Sequence, residues 1–382
     1  MCIRDRIRVF MKEKIKICHL TSAHTRHDTR IFIKMCSSLA DEGYNVSLIV
    51  ADGKGLEFKN DVSIIDVGFK KGNRLSRMTR TVYKVYKAAV DLNADIYHMH
   101  DPELLLVALL LKWKGKKVIF DAHEDLPVQV LSKPYLHPFF AKVISRVAHY
   151  YECFLCKRID AVVTATPFIR DKFLKINSTT VDINNFPKIE EFINIETANF
   201  SQRESCCYIG GITKVRGIYE IVDAMDLSRA RGDLLLAGNF LEKQVRSDVV
   251  GLAGWKKVDD LGWLNREGIQ SVLGRSFAGL VTLHPIENYK DALPVKMFEY
   301  MASGIPVIAS NIPLWESIVV SEDCGICVNP YSSKEISDAM NYLANNLEVA
   351  KAMGARGRDA VHRKYNWKVE EGKLLQLYSS LI

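Results

Sequence analysis

The feature that most restricts this chain is an alternation of short apolar runs with amphipathic stretches, which goes through its course twice. Lys14 to Ser22 (KIKICHLTS), Asn45–Ala51, Val62–Val67, Asp95–His100, Lys117–His123 and Ala161–Thr166 read as strands. Arg30–Gly43, Pro102–Lys114 and Phe139–Lys157 have the apolar spacing of helices between them. Residues 188–205 lose the periodicity and read as a linker. The alternation restarts with strand Cys206–Ile212, helix Ile218–Leu227 and strand Asp233–Ala237, then strands near Leu261–Leu264, Phe277–Leu283, Pro306–Ala309 and Gly325–Val328. Strands that are apolar throughout belong to parallel sheets with helices on both faces. At 382 residues the chain is long for one core, so two open α/β halves are expected. The predicted division is 11–199 and 200–365, with 366–382 crossing back, because Trp367–Leu381 forms a last helix able to pack on the first half. Such halves hold ligands at the carboxyl ends of their strands.

Several classes drop out. The longest apolar run, Leu104 to Leu111, is far short of the ~18 residues a spanning helix requires. The basic start is not followed by the apolar core and cleavage site of a secretory signal. Residues 1–10 (MCIRDRIRVF) fit no element and read as a non-native leader, with Met11 the natural start. Nine cysteines without an export signal suggest a reducing cytoplasm and free thiols. Cys153/Cys156 and Cys324/Cys327 have CxxC spacing but stand too far apart in sequence to suggest one zinc site, and core thiols are the better reading.

Charge separates the halves. Counting Lys and Arg against Asp and Glu gives roughly +8 on residues 1–200 and about −1 on the rest, within a net +7. A basic half argues for an acidic surface facing it. No compact nucleic-acid module is formed, so the expectation is an anionic membrane, with peripheral attachment at its cytoplasmic face and no nucleic acid. Lys70 to Leu92 is a strongly basic amphipathic segment, a solvated surface helix or a membrane-surface one.

Three constellations carry chemistry. Gly210-Gly211-Ile212-Thr213-Lys214-Val215-Arg216-Gly217 follows the first strand of the second half: glycines let backbone N–H groups approach a phosphate, and Lys214 and Arg216 add charge. It is neither a Walker loop nor a GxGxxG fingerprint, and a glycine turn with solvated bases fits as well. At the end of VIFDAH, Asp121, His123, Glu124 and Asp125 place polar groups at the mouth of a sheet, where a histidine can bond a sugar hydroxyl or join an acid/base step. His24, His27, Asp28, His98, His100 and Asp101 gather near other strand ends of the first half, an acceptor cleft rather than a metal site, since no metal-ligand spacing is present. The stretch His284 to Ser310 (HPIENYKDALPVKMFEYMASGIPVIAS) adds strand, polar loop and helix N-terminus, with Pro294 in the first turn and Gly304 as the stop. Asp291 and Glu299 fit sugar hydroxyls there and Lys296 a phosphate. By pattern alone an ordinary unit with solvated charges fits equally.

Together these stretches resemble glycosyltransferase family 4, retaining enzymes of the GT-B fold, over nearly all of residues 14–380. GGITKVRGI is similar to the family's phosphate loop, DALPVKMFEYMASGIPVIAS to its E-x7-E segment, and VIFDAHEDLP, HDTRIFIK and HMHDPELL to one subgroup. The resemblance implies two Rossmann-like doubly wound domains facing across a cleft. It implies a donor side of Gly210, Gly211, Lys214, Arg216, Leu293, Lys296 and Glu299, with Arg216 on the diphosphate and Glu299 on the ribose. His123 and Asp291 would meet the transferred sugar, making His123, Asp291 and Glu299 the catalytic set, while His24, Asp28, His100, Asp101 and Glu124 lie on the acceptor side. Gly211 stands where many members have arginine, and Asp291 where they have glutamate. The implied reaction moves a sugar from a UDP- or GDP-linked donor to an acceptor hydroxyl, with no metal and no other cofactor. The implied acceptor is a lipid-linked saccharide of bacterial surface polysaccharide synthesis, such as lipopolysaccharide or capsule. An epimerase of the same fold, or a non-catalytic sugar-nucleotide or nucleic-acid binding protein, are the alternatives.

Overall fold

A computed structural model of the chain describes residues 15–69, 77–131, 136–195 and 200–382. The expected leader, residues 1–10, and the start of the basic segment, 70–76, lie outside the described residues.

The chain divides into two units, 1–184 with 370–382, and 185–369. Strands of the first unit are β1 (Lys16–Leu20), β2 (Asn45–Val50), β3 (Glu57–Lys59), β4 (Val62–Asp66), β5 (Ile96–Met99), β6 (Lys117–Ala122), β7 (Ala161–Thr164) and β8 (Thr180–Asp182). Their order is β3-β4-β2-β1-β5-β6-β7-β8, parallel except for β3 against β4. Helices α1 (Ser37–Asp41), α2 (Val82–Leu92), α3 (Leu105–Trp113), α4 (Leu126–Leu131), α5 (Pro138–Cys156) and α6 (Pro167–Leu174) connect them. In front of α1, Thr29–Cys36 winds in wider π turns, so the predicted helix over 30–43 is one stretch of two geometries. β3 was not expected: Glu57-Phe58-Lys59 is a mostly exposed edge strand without an apolar run.

The second unit has β9 (Ser205–Ile209), β10 (Leu234–Ala237), β11 (Val258–Gly262), β12 (Ser276–Val281), β13 (Val307–Ser310) and β14 (Gly325–Val328), in the order β11-β10-β9-β12-β13-β14, all parallel. Helices α7 (Ile218–Leu227), α8 (Lys243–Val250), α9 (Arg266–Arg275), α10 (Glu287–Lys290), α11 (Val295–Ala302), α12 (Pro313–Ser321), α13 (Ser333–Asn345), α14 (Leu347–Arg363) and α15 (Trp367–Leu381) follow. The strand predicted at 261–264 sits earlier, at β11, where half-buried Val258 and Leu261 flank Asp259 and Asp260 and give a weak apolar signal.

In both sheets the connection reverses direction beside the first strand. β1 lies between β2 and β5, and β9 between β10 and β12. Crevices form at such switch points, beyond the strand carboxyl ends, and the polar stretches singled out above begin there. One close approach fixes the second unit's crevice. A Cβ on Gly279 of β12 would lie 2.3 Å from the Tyr300 ring, so only glycine lets α11 press onto the sheet there. The Tyr300 hydroxyl accepts from the Ile209 backbone N–H at 2.9 Å, and this sets where Lys296 and Glu299 of α11 stand against the end of β9.

The predicted boundary at 199/200 moves to 184/185. Phe186 packs edge-on against Phe298 at 4.6 Å, and Phe192, Ile195 and Phe200 are buried in the second unit's core. The expected linker is therefore part of that unit's packing. A few apolar residues at irregular spacing bury well when a surface is already present, which periodicity does not register. α15 starts in the second unit and ends in the first, as the sequence suggested, with Tyr378 buried there.

Candidate active site

In the first unit, β1, β5 and β6 end in Thr21-Ser22, His100-Asp101 and His123. Asp121, fully buried, is the centre. Arg30, projected by the π turns, holds it with two bonds of 2.9 and 2.8 Å and donates a third to the Ile183 carbonyl at 2.6 Å. His123 Nε2 lies 2.9 Å and His100 Nδ1 3.2 Å from Asp121 Oδ2. Burial alone would push the Asp121 carboxyl up, but Arg30, then His123 and His100, outweigh it and hold it well below the usual range. An ionised Asp121 accepts from His123 and fixes the imidazole's orientation. Behind His100 runs a buried chain: His19 Nδ1 is 2.8 Å from His100 Nε2, and the Tyr378 hydroxyl lies 3.2 Å from His19 Nε2 and 2.8 Å from His98 Nδ1. Burial pulls His19 and His98 well below the ordinary imidazole value, so both are neutral rings.

Other predicted acceptor residues have structural partners. Asp28 caps Thr29–Cys36, Oδ1 accepting from the Arg30 and Ile31 N–H groups at 2.9 and 3.0 Å. Asp101 Oδ2 accepts from the Thr21 hydroxyl at 2.8 Å and the Ser22 N–H at 2.6 Å. Asp28 thus serves as a helix cap, while Asp101 and the buried His100 brace the strand ends and also line the cavity beside them. His24 is half-buried beside both carboxylates, and its hydrogen bond to Asp28 raises its pKa against the pull of burial. His24, His100, Asp101, His123 and the exposed Glu124 are among the residues that line a cavity of about 830 Å³. His27 pairs instead with Glu57, at 3.0 Å. Two sets, His19/His98/His100 and His100/Asp121/His123, bring ligand atoms within 4.8 Å of one another. His19, His100 and His123 bond one another, Tyr378 or Asp121, whose carboxylate Arg30 pairs with, and His98 Nδ1 meets Tyr378 while its Nε2 is buried without a partner, an arrangement that suits a hydrogen-bonded relay better than a cation.

In the second unit, β9 runs into Gly210-Gly211, and a single 3-10 turn, Lys214–Arg216, leads to α7. Arg216 Nη1 donates to the Gly211 carbonyl at 3.0 Å, and the Tyr208 hydroxyl donates to the same oxygen at 2.9 Å. Lys296 Nζ lies 3.8 Å above the Tyr208 ring. It is shut off from solvent and has no hydrogen-bond partner. Burial first, then the charge of Arg216, pull its pKa well below the ordinary lysine value. A Cβ on Gly210 would lie 3.3 Å from Lys296 Nζ, and one on Gly211 2.9 Å from Arg216 Nη1. The glycines thus leave the space between backbone and cations open. Thr213 Oγ1 and Thr282 Oγ1 are also buried without partners around this loop. Buried polar groups are nearly always bonded, so unsatisfied donors gathered at one strand end suit an anion.

Among the remaining donor-side residues, Lys214 points into solvent, where Asp248 feels its charge, so of the three cations Arg216 and Lys296 are the two that stand against the glycines. Leu293 packs partly buried against the core. Asp291 ends the α10 turn half-buried, and burial, then Glu287, raise its pKa. Pro294 is the residue before α11 rather than within its first turn. Glu299 Oε1 accepts from Arg266 Nη1 at 2.8 Å, and Arg266 also pairs with Glu191 and lies over the Phe192 ring. Arg266, Arg30, His19 and Tyr378 had no assigned role in the sequence reading. Their partners are 33 to 359 residues away, as with Arg266 and Glu299 or Tyr378 and His19, and no local pattern marks them. All eight cysteines among the described residues are free thiols, most of them buried.

The family model "Glycosyltransferase Family 4" matches residues 29–183, and "Glycosyl transferases group 1" matches residues 190–360. A phosphatidyl-myo-inositol mannosyltransferase of Mycobacterium leprae is 22% identical over 308 residues, 78% of this chain and 76% of that one. Sucrose-phosphate synthase from Thermosynechococcus elongatus superposes with a TM-score of 0.77 at 17% identity, covering 96% of this chain and 99% of the other. Anabaena Alr3699/HepE in complex with UDP-glucose superposes with a TM-score of 0.72 at 13% identity, over 96% and 100%.

Proposed function

The chain belongs to glycosyltransferase family 4 and has the GT-B fold, and from that premise we propose that it transfers a sugar, with retained anomeric configuration, from a nucleotide sugar to a hydroxyl of a lipid-linked saccharide in bacterial surface polysaccharide synthesis. The observation that carries the donor side is Lys296: a buried ammonium without a partner, beside Arg216 and an open glycine backbone. An incoming diphosphate would supply the acceptor oxygens that Lys296 lacks. The solved relative bound to UDP-glucose supports a nucleotide-sugar donor.

In the proposed reaction the glycosidic C–O bond to the diphosphate breaks and a bond to the acceptor oxygen forms on the same face of the sugar. Negative charge grows on the departing diphosphate, and Arg216, Lys296 and the loop's backbone N–H groups stabilise it there. The acceptor's proton passes to the departing phosphate, so no carboxylate nucleophile and no metal is called upon. His123, held by the ionised Asp121, bonds the transferred sugar, while Glu299, steadied by Arg266, takes the ribose hydroxyls. Asp291 meets the sugar with a side chain one C–C bond shorter than glutamate. The mannosyltransferase relative, named for a phosphatidyl-inositol acceptor, supports a lipid-linked acceptor, and the basic first half supports peripheral contact with the cytoplasmic face of an anionic membrane. No helix among the described residues is long and apolar enough to cross a membrane.

The test is a panel of UDP- and GDP-linked sugars scored for release of nucleoside diphosphate, with and without lipid-extracted acceptor, on wild type, Arg216→Ala and Glu299→Ala. Release that depends on acceptor and collapses in both variants is expected. Near-normal turnover in both would overturn the site.

A further inference from the structure

One surface of the first unit is at odds with an aqueous surround. α5 turns Phe139, Phe140, Val143, Val147, Tyr150 and Phe154 to solvent, four of them at least 60% exposed. At 3.6 residues per turn these six fall within an arc of roughly 100°. Ala141, Ser145, Glu152, Leu155 and Cys156 occupy the opposite, buried side. Lys142 and Arg146 are exposed between the two stripes, one turn apart. Like charges at that spacing repel, and neither has an ion-pair partner among the described residues. Arg158, just past the helix end, lies 3.6 Å over the Phe154 ring. The acidic residue of α5, Glu152, is buried against Lys172. The helix therefore has a packed face, an apolar face open to solvent and a purely basic border.

The same helix walls the cavity that holds His24 and His123. That cavity is also lined by Leu106, Leu126, Ile144 and Val147. Ile144 and Val147 are themselves largely exposed, so the lining runs without a break onto the apolar face of α5. A cavity lined by imidazoles and carboxylates together with aliphatic side chains, the latter continuous with an exposed apolar helix face, suits an amphiphile.

We infer that α5 is an interfacial helix that seats the first unit on an anionic phospholipid bilayer, with the apolar side of the His123 cavity opening onto that bilayer. Phe139, Phe140, Val143, Val147, Tyr150 and Phe154 enter the acyl boundary, and Lys142, Arg146 and Arg158 meet the headgroup phosphates. This deepens the membrane-side part of the proposed function and rests on it for what the bilayer delivers. It also places the attachment on α5 rather than on 70–92, for which the sequence left a solvated and a membrane-surface helix open. Val85 and Ala89 of α2 are spent on the unit's own core.

The experiment is flotation of the full chain with vesicles of phosphatidylcholine alone or mixed with phosphatidylglycerol, without donor or acceptor. Wild type is expected to float with the mixed vesicles. F140D/F154D, at two positions outside the cavity, is expected to lower partitioning at least about tenfold on charge and burial grounds. K142A/R146A is expected to lower it by on the order of thirtyfold, on the anionic vesicles only. Arg275→Ala, a basic surface residue of the second unit, leaves it unchanged, and melting curves check that each variant folds. Undiminished flotation of F140D/F154D overturns the inference. So does a wild type that ignores vesicles but is a dimer by light scattering and becomes a monomer in F140D/F154D, since the face then belongs to a second copy. Nucleoside diphosphate release is scored separately, so loss of the transfer reading and loss of this one are told apart.

Discussion

Replacing Lys296 with methionine is expected to move stability and donor binding in opposite directions. In the free protein its Nζ is buried with no acceptor, over the Tyr208 ring at 3.8 Å. Leaving a buried charge unpaired costs about 3–5 kcal/mol, and the ring returns about 1–2 of that. Part of the remainder is relieved because a lysine whose pKa falls this way can shed its proton. Methionine fills the volume without the charge, so the free protein should gain about 1–3 kcal/mol. For a unit of this size that is a rise in melting temperature of about 2–4 °C per kcal/mol. Binding of a nucleoside diphosphate should weaken, since a charge-assisted hydrogen bond contributes about 1.5–3 kcal/mol, or roughly tenfold to a hundredfold in Kd. Differential scanning fluorimetry of free Lys296→Met, with calorimetric titration of UDP and GDP, reads both. A variant that melts lower than wild type, or binds the better nucleotide equally well, would refute the argument that this ammonium waits for a phosphate.

His123→Ala should lower kcat of transfer at least about a hundredfold and leave nucleoside diphosphate affinity unchanged, because the phosphate loop belongs to the other unit; steady-state kinetics beside titration separates the two. Arg266→Ala should shift the melting temperature little, the pair being part-exposed and worth less than about 1 kcal/mol, yet raise the KM for the nucleotide sugar several-fold as Glu299 loses its fixed rotamer; a stability loss with unchanged KM would count against it. Glu152 gives a pH prediction. Its carboxyl is pushed up to about 7, by burial first and against Lys172. Between the ordinary glutamate value and about 7 the folded chain keeps a proton that the unfolded chain has lost, so stability falls as pH rises through that window. Glu152→Gln should therefore melt higher than wild type at pH 8, by the equivalent of about 1–3 kcal/mol, and equally at pH 4.5. A pH-independent difference would refute it.

The period of the apolar residues alone determined that two parallel sheets form and where most strands lie, because a strand buried on both faces has to be apolar throughout. The order of glycine, base and helix start after β9 likewise marked the loop we propose for the phosphates, since such a site would depend on adjacent backbone groups. Which cations stand against the glycines was decided by packing. Lys214 and Arg216 are neighbours in sequence, but the 3-10 turn sends one outward and the other back over Gly211, and α11 brings in Lys296 from 80 residues on. Asp28 and Asp101 read as acceptor carboxylates, but one oxygen of each accepts from backbone N–H groups and the other faces His24, partners that no local pattern announces. The domain boundary turned on Phe186 meeting Phe298, and the relay behind His100 on Tyr378 arriving from the last helix. α5 gives the sharpest contrast. In sequence it is an ordinary amphipathic helix with two apolar sides, and only the tertiary structure decided which side the core would bury and which would be left to meet something other than water. A period specifies faces, but the partner of each face is a long-range contact that the local sequence does not encode.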